Sequence, residues 1–457
     1  MSFLLSGVAN GADFYVAVDG NDRSPGTDAH PFRSIQRGVN AAQSPGDNII
    51  VRKGLYRLDQ PVILPNAGSP GRPITLRAAV NETVVIDGSN VVPRDEQHRK
   101  SLTLIGIANG YVRVEGFTIR DSPQSGIGIW GPGTRAHHVE LRNNTIQNCY
   151  ASGIQVGFTD PKQGPIDILI EGNDVRDVCL NNAPRKANTV TEKARRLGGR
   201  NIPWGSAIGG TARRVTIRGN RVHRSYGEGI GFYLSDETVI ESNEVHDNFS
   251  VNVYLDNSTN AQVNRNLVYS SGDEDFFRFS HPADGILIAN ESYGPLSNPC
   301  RNNTITSNVL IGNRSAISYG SFQSGGGLKD TLIAHNTAYG STAALLKIDP
   351  DGGHRGTRVV NNIFHQQRAV PITSLRTRQP GLTFAANLWF GGTPEPFARS
   401  ASDVSLAPQF TKPGSFRADD YQLADSSPAR GAGVKMDRGT RTFDNRIRSG
   451  IADLGAW

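Results

Sequence analysis

Acidic and tyrosine side chains gather in the middle of this chain in a pattern suited to cutting a sugar polymer. Glu228, Asp236, Asp256, Asp273, Glu274 and Asp275 are carboxyls close in sequence. Glycoside hydrolysis needs two such groups at a defined separation, one acting as acid and the other as base or nucleophile. Asp273, Glu274 and Asp275 are contiguous. Such a run reads either as a metal site, because hard cations take oxygen ligands, or as a solvated turn. Tyr233 and Tyr254 are expected to face outward from neighbouring coils, as platforms for sugar rings. Tyr254 also suits a proton donor. Outward tyrosines in a row are unusual for a purely solvated face. His223 and His246 fall on the preceding strand and read as structural.

The elements that must position these groups are short strands. Gly229–Leu234 alternates, so Ile230, Phe232 and Leu234 point inward and Tyr233 points outward. The equivalent runs are Ile127–Trp130, Ile154–Val156, Val251–Leu255, Phe276–Phe279, Ile317–Tyr319 and Leu345–Ile348. Stacked in a parallel sheet, they present one outward stripe: Trp130, Gln155, Tyr233, Asn252, Tyr254, Arg278, Ser318 and Lys347. Trp130, Gln155 and Asn252 are the expected substrate-binding residues of that stripe.

What stacks the strands is a recurring asparagine. Asn144, Asn173, Asn220, Asn243, Asn266, Asn308, Asn336, Asn362 and Asn387 each stand between two short β-prone runs. Asn tolerates left-handed backbone angles and so suits a tight corner. Its amide can also bond the next Asn along a stack. A repeat of roughly two dozen residues that cannot bury its apolar face alone means a solenoid. The expected fold is all-β, a right-handed parallel β-helix over residues 13–390. An N-terminal helix near Phe32, Ile35, Val39 and Ala42 should cap its open end. An irregular tail, 391–457, is expected to lie back on the solenoid.

Two coils are longer than the rest. One insertion spans Asn181 to Trp204 and carries Arg185, Lys186, Lys193, Arg195, Arg196 and Arg200; the other spans His281 to Cys300. Long loops on rigid scaffolds carry function, so both are expected to wall a cleft, with Arg196 and Arg200 toward substrate. The net charge of +6 permits an anionic partner without demanding one. Cys149, Cys179 and Cys300 lack metal-ligand spacing and a disulfide framework is not expected. No apolar run is long enough for a membrane helix. The first ten residues show no basic signal-peptide start.

Several stretches resemble a known group. Asp13–Thr27, Pro31–Ile35 and Pro45–Tyr56 are similar to the opening of secreted β-helix proteins, among them calcium-dependent pectate lyases. Gly71–Ala79 followed by Val84–Gly88 resembles chondroitinase B and its alginate-lyase relatives, and Tyr421–Trp457 resembles the closing segment of the same group. The resemblance implies a polysaccharide lyase that cuts an acidic, uronate-containing polymer by β-elimination. In such lyases an outward Lys or Arg takes the proton beside a uronate carboxylate, and calcium or a basic residue neutralises that carboxylate. Lys347 and Arg278 then become catalytic candidates, two coils apart. Asp256, Asp273, Glu274 and Asp275 become ligands for calcium. A secreted or periplasmic monomer is expected, with no nucleic-acid partner. A carboxylate-pair hydrolase and a non-catalytic glycan-binding β-helix are the alternatives.

Overall fold

A computed structural model describes residues 11–95, 102–130, 136–157, 164–184, 205–436, 440–448 and 451–457. Arg196 and Arg200, with the rest of the basic insertion, lie outside the described residues. The chain winds as a right-handed parallel β-helix. Its strands form three parallel sheets of 13, 12 and 11 strands among the described residues. The first sheet runs from Asp13–Val16 to Leu382–Ala385, and the second from Gly54–Arg57 to Leu388–Phe390. The third runs from Val62–Leu64 to Thr373–Ser374.

Period-two alternation fills the interior with Val, Ile and Leu from all three sheets. Each coil cannot bury this face alone, so neighbours stack and share it. The helix Ile35–Ala41, N-capped by Ser34, buries Ile35 and Val39 against the first coils. Cys149, Cys179 and Cys300 are buried free thiols.

The asparagines form a continuous ladder. The Nδ2 of Asn144 donates to Oδ1 of Asn173, and the same link repeats through Asn220, Asn243, Asn266, Asn308, Asn336, Asn362 and Asn387, at 2.9–3.0 Å. One detail differs from expectation. The left-handed residue is the one before each ladder Asn: Asn143, Gly172, Gly219, Ser242, Arg265, Ser307, His335, Asn361 and Ala386 all have positive φ. The preceding residue makes the corner, which frees the Asn side chain to turn inward and satisfy backbone groups as well.

The three outward faces have different fates. That of the second sheet is covered by the C-terminal segment. Tyr421, Leu423, Ala429, Leu454 and Ala456 bury Tyr269, Val309, Ile311, Ile363 and Leu388. Arg448 braces this segment internally, donating to the carbonyls of Gly455 and Trp457 at 2.8 and 2.9 Å. Asn361 and Thr337 tie it to the solenoid through Val434 O and the Ala456 N–H. The first sheet carries a broad groove of about 1260 Å³. Its rims are ion-paired, Arg214 to Asp167 at 2.6 Å and Arg265 to Glu241 at 2.5 Å. The third sheet's outward face carries the acids.

Candidate active site

Registered pairing puts Gly106, Gly128, Gln155, Gly209, Gly231, Tyr254, Leu287, Ser318, Lys347 and Ser374 in one outward row of the third sheet. The chemistry concentrates around Tyr254. Glu228 begins the strand Glu228–Tyr233, and its Oε2 accepts a hydrogen bond from Ser206 Oγ on the neighbouring strand at 2.6 Å. A Cβ at position 231 would lie 2.3 Å from Glu228 Oε2. The glycine leaves room for the carboxyl to fold back along its own strand.

Tyr254 donates its phenolic proton to Glu291 Oε1 at 2.6 Å. Asp256, two residues on and 1% exposed, accepts from the Tyr293 hydroxyl and from the Glu291 backbone N–H at 3.2 Å. Asn257 Oδ1 accepts from the same N–H at 2.6 Å. Glu291 and Tyr293 follow the strand Asp284–Asn290 within the second insertion. That insertion thus delivers a third carboxyl and a second phenol onto the sheet. The Tyr293 ring stacks on Tyr233 at 5.8 Å.

The electrostatics follow from this crowding. Burial, reinforced by Asp256 and Glu291, pushes the Glu228 carboxyl up to about 8, against the Ser206 hydrogen bond and the charge of Arg278. Burial also pushes Asp256 up to about 7; Glu291 adds to this and the Tyr293 hydrogen bond opposes it. Tyr254 is held above the ordinary phenol range by burial, by Asp256 and by its bond to Glu291. Near neutral pH the cluster therefore holds carboxyls that can give or take a proton.

The structure separates several residues that the pattern had grouped. Arg278 is not on a cleft strand. Glu274–Phe276 is a short 3-10 turn, and the strand of that coil is Asp284–Asn290. The alternating Phe276-Phe-Arg-Phe279 imitates a strand, but Phe276 is buried beneath Arg224 and against Tyr226, while Phe279 is 81% exposed. Arg278 reaches the site from this loop, donating to Ser250 Oγ at 3.2 Å. Asn252 is fully buried and points inward, accepting from Asn248 at 2.8 Å and donating to Asn313 at 3.0 Å. It is a structural amide with no outward face to offer a substrate.

Tyr233 and Tyr254 do not stack on adjacent coils, because Tyr233 registers with Asp256 and Tyr254 with Gly231. Lys347 shares the row of Tyr254, but three strands on, about 14 Å away. The two cannot share one proton transfer. Gln155 lies three strands to the other side and bonds locally to Ser152 and Gly157. The Trp130 indole lies over Gly128, where a Cβ would overlap the ring.

The expected calcium ligands do not converge. Asp273 caps the 3-10 turn through the Asp275 N–H and pairs with Arg224 at 3.2 Å. Asp256 is occupied by Tyr293 and Glu291. No group of three or more His, Cys, Asp or Glu among the described residues is placed to hold a metal ion. These residues do not fit a calcium site. His223 and His246 stack on the outward side of the second sheet, at 4.8 Å, and pair with Asp174 and Asp247.

Glu291, Tyr293, Ser206 and Ser250 are functional candidates that strand periodicity missed. Aligning Ala289-Asn290 with Asp256-Asn257 as strand ends would have put Glu291 just past the end of the strand, but the misplaced strand at 276–279 hid that register.

Comparison with known proteins agrees with the fold. A family model described as "Right handed beta helix region" matches residues 109–343, and one described as "Pel9A-like, right handed beta helix region" matches residues 14–174. An uncharacterized protein of Bacillus subtilis (strain 168), YwoF, is 26% identical over 360 residues, covering 72% of this chain and 69% of its own. Pectate lyase PEL9 of Emericella nidulans is 23% identical over 348 residues, covering 74% of this chain and 75% of its own. The crystal structure of pectate lyase Pel9A superposes with a TM-score of 0.54 at 18% identity, over 99% of this chain and 97% of that one.

Proposed function

This chain belongs to the right-handed β-helix family, and from that premise we propose that it cleaves a uronate-containing polysaccharide by β-elimination on the outward face of the third sheet. One observation carries the reading: Glu228, Asp256 and Glu291, with the hydroxyls of Tyr254 and Tyr293, meet on one outward patch beside Arg278. The likeness to a pectate lyase over three quarters of the chain supports it. A substrate of this kind lies outside the cell membrane, in keeping with a secreted or periplasmic protein. No helix among the described residues is long and apolar enough to cross a membrane.

In this reading Arg278 meets the uronate carboxylate, and Glu228, protonated through neutral pH, donates a hydrogen bond to it. Neutralising that carboxylate acidifies the adjacent C–H. Tyr254 takes this proton as it passes its own phenolic proton to Glu291, and the relay returns one to the departing glycosidic oxygen. Tyr254 has no need to persist as phenolate. Trp130 and Gln155 would line the path of the polymer.

The Glu228 and Asp256 carboxyls, titrating near 8 and 7, also favour a second reading, hydrolysis with Glu228 as acid and Asp256 as base. One assay separates the two. Purified protein is incubated with pectate, alginate, chondroitin and hyaluronan, and ultraviolet absorbance and reducing ends are followed together. Elimination raises both, because it leaves an unsaturated uronate. Reducing ends without absorbance would replace elimination by hydrolysis, and silence in both would sink cleavage of these polymers.

A further inference from the structure

Phe322 is a large apolar side chain left 62% exposed. Its ring lies over Gly320, where a Cβ would come within 2.9 Å of ring carbons. Gly320 registers with Ala289, and Ala289 with Asp256. The ring therefore sits on the outward face about 10 Å along the solenoid from Asp256, two strand spacings. On the next strand, Lys347 registers with Ser318, and its ammonium lies 3.4 Å from Asp349 Oδ1. The Asp349 backbone N–H donates to Tyr319 O at 3.1 Å, which fixes this pair beside Gly320. Ser318 Oγ, in the same row, is buried without a hydrogen-bond partner.

The side chains of Phe322, Lys347 and Asp349 take no part in the proton relay. Phe322 leaves most of its apolar area in water, open to a ligand whose C–H face would cover it. An apolar ring flanked by a few placed polar groups is how a protein binds a small polar ligand. Lys347 can only donate and Asp349 only accept, while a sugar hydroxyl does both. Adjacent hydroxyls on one pyranose ring match such a pair, and the C–H face of the ring matches Phe322. The charged groups around this spot are Lys347, Arg314, Asp349, Asp284 and Asp351, whose carboxyl accepts from Ser321 Oγ at 2.6 Å. Three carboxyls against two cations disfavour a bare anion and favour a hydroxyl-bearing ring.

We infer that Phe322, Lys347 and Asp349 form a distal sugar subsite that holds the polymer a few units from the bond cleaved at the acid cluster. Lys347 then serves as a polymer anchor and not as a base. The inference rests on the proposed cleavage site.

The test uses Phe322→Ala and Lys347→Ala in the full chain. Migration is compared in native gels cast with polygalacturonate or alginate, and kinetics are measured on whichever polymer is cleaved. Both variants should keep the wild-type Tm and kcat, raise KM about tenfold, and lose retardation in the gel, one decade being the usual scale for losing a single good contact. On the shortest oligomer cleaved, both should match wild type. Wild-type retardation in both variants would overturn the subsite and leave the cleavage reading intact. Loss of kcat on every substrate by Lys347→Ala would overturn it in favour of a base. A wild-type chain that is neither retarded nor active on either polymer would overturn the subsite together with its acidic substrate.

Discussion

Two sets of buried polar side chains run along this solenoid, and they are built on opposite principles. In the ladder, each internal Asn donates to a backbone carbonyl and to the next amide, and accepts from a backbone N–H and the previous amide. Asn266 does so with Ile240, Asn308 and Asn243. Every group is neutral and every partner is present. Around Tyr254, three carboxyls face one another, and burial and mutual repulsion raise two of them. The hydroxyls of Ser206, Tyr254 and Tyr293 bond the carboxyls without supplying charge. A satisfied neutral network holds a fold together. A cluster of carboxyls kept out of water costs stability and is tolerated where protons must move.

The comparison breaks first at the ladder. Asn266→Ala would strand the Asn243 backbone N–H and an Asn243 Nδ2 hydrogen in the core and take the amide donor from the Ile240 carbonyl, while Asn308 Oδ1 keeps the backbone N–H of residue 266. The expected cost is at least about 3 kcal/mol, from several buried groups left unpaired. It should show as a lower urea midpoint or as loss of soluble protein. A midpoint within error of wild type would mean that the ladder is a consequence of stacking and contributes little to it.

The opposite result is expected at the acids. Glu228→Gln keeps shape and hydrogen-bonding capacity but removes the titrating proton. If Glu228 is the acid of the hydrolytic reading, activity should fall about a hundredfold, the usual worth of a positioned acid or base. Under elimination, where the Gln amide still donates to the uronate carboxylate, the fall should be much smaller, with no loss of folded protein in either case. A rate near wild type would remove Glu228 as the acid of hydrolysis and leave it only the hydrogen-bonding role it has in elimination.

Stability against pH sharpens the contrast. Below its ordinary value of 4.5, Glu228 is protonated in folded and unfolded chains alike. Between there and about 8, the unfolded chain ionises while the folded one resists. The stability tied to the protonated form is therefore present below 4.5 and lost as pH rises through about 8. Asp256 acts in the same direction between 3.8 and about 7. Wild type should lose a few degrees of Tm between pH 5 and pH 8, and Glu228→Gln should lose less. Parallel curves would show that the carboxyl is better solvated than its burial implies.

How much of this was legible in the sequence follows the same division. The ladder was readable because each Asn sits between β-prone runs at a nearly constant period, and stacking admits one register. Only the left-handed residue was misplaced, since the corner is one position earlier and is filled by Asn, Gly, Ser, Arg, His or Ala with no common type. Glu228, Tyr254 and Asp256 stand out in the sequence and lie in short, regular coils, though the pattern points to Asp256 as a calcium ligand and to Glu228 as one of six candidate hydrolase carboxyls. The pattern failed where the coil lengthens. There Phe276-Phe-Arg-Phe279 has the alternation of a strand yet serves as a packed loop, and Asp284–Asn290, with Gly285 and Ala289, looks less like one. Asn252 failed for a different reason. The outward carboxyl of Glu228 and the outward position Gly231 are three residues apart, so strict alternation does not hold at this strand start, and Asn252, level with Gly229, turns inward.

The smallest effect is expected at the acidic run that looked most like a metal site. Asp273→Ala removes a pair with Arg224 that is about one third exposed on both sides, and Arg224 keeps Asp177 at 3.0 Å. Such a pair is worth at most about 1 kcal/mol. Tm and activity should barely move, and any loss of activity on adding EDTA should be the same in variant and wild type. Were the variant inactive, with wild type restored by calcium after EDTA, the cation would have to gather Asp273 toward the cluster on binding. The carboxyls around Tyr254 would then have a countercharge beyond Arg278, and the contrast with the neutral ladder would lose its electrostatic basis.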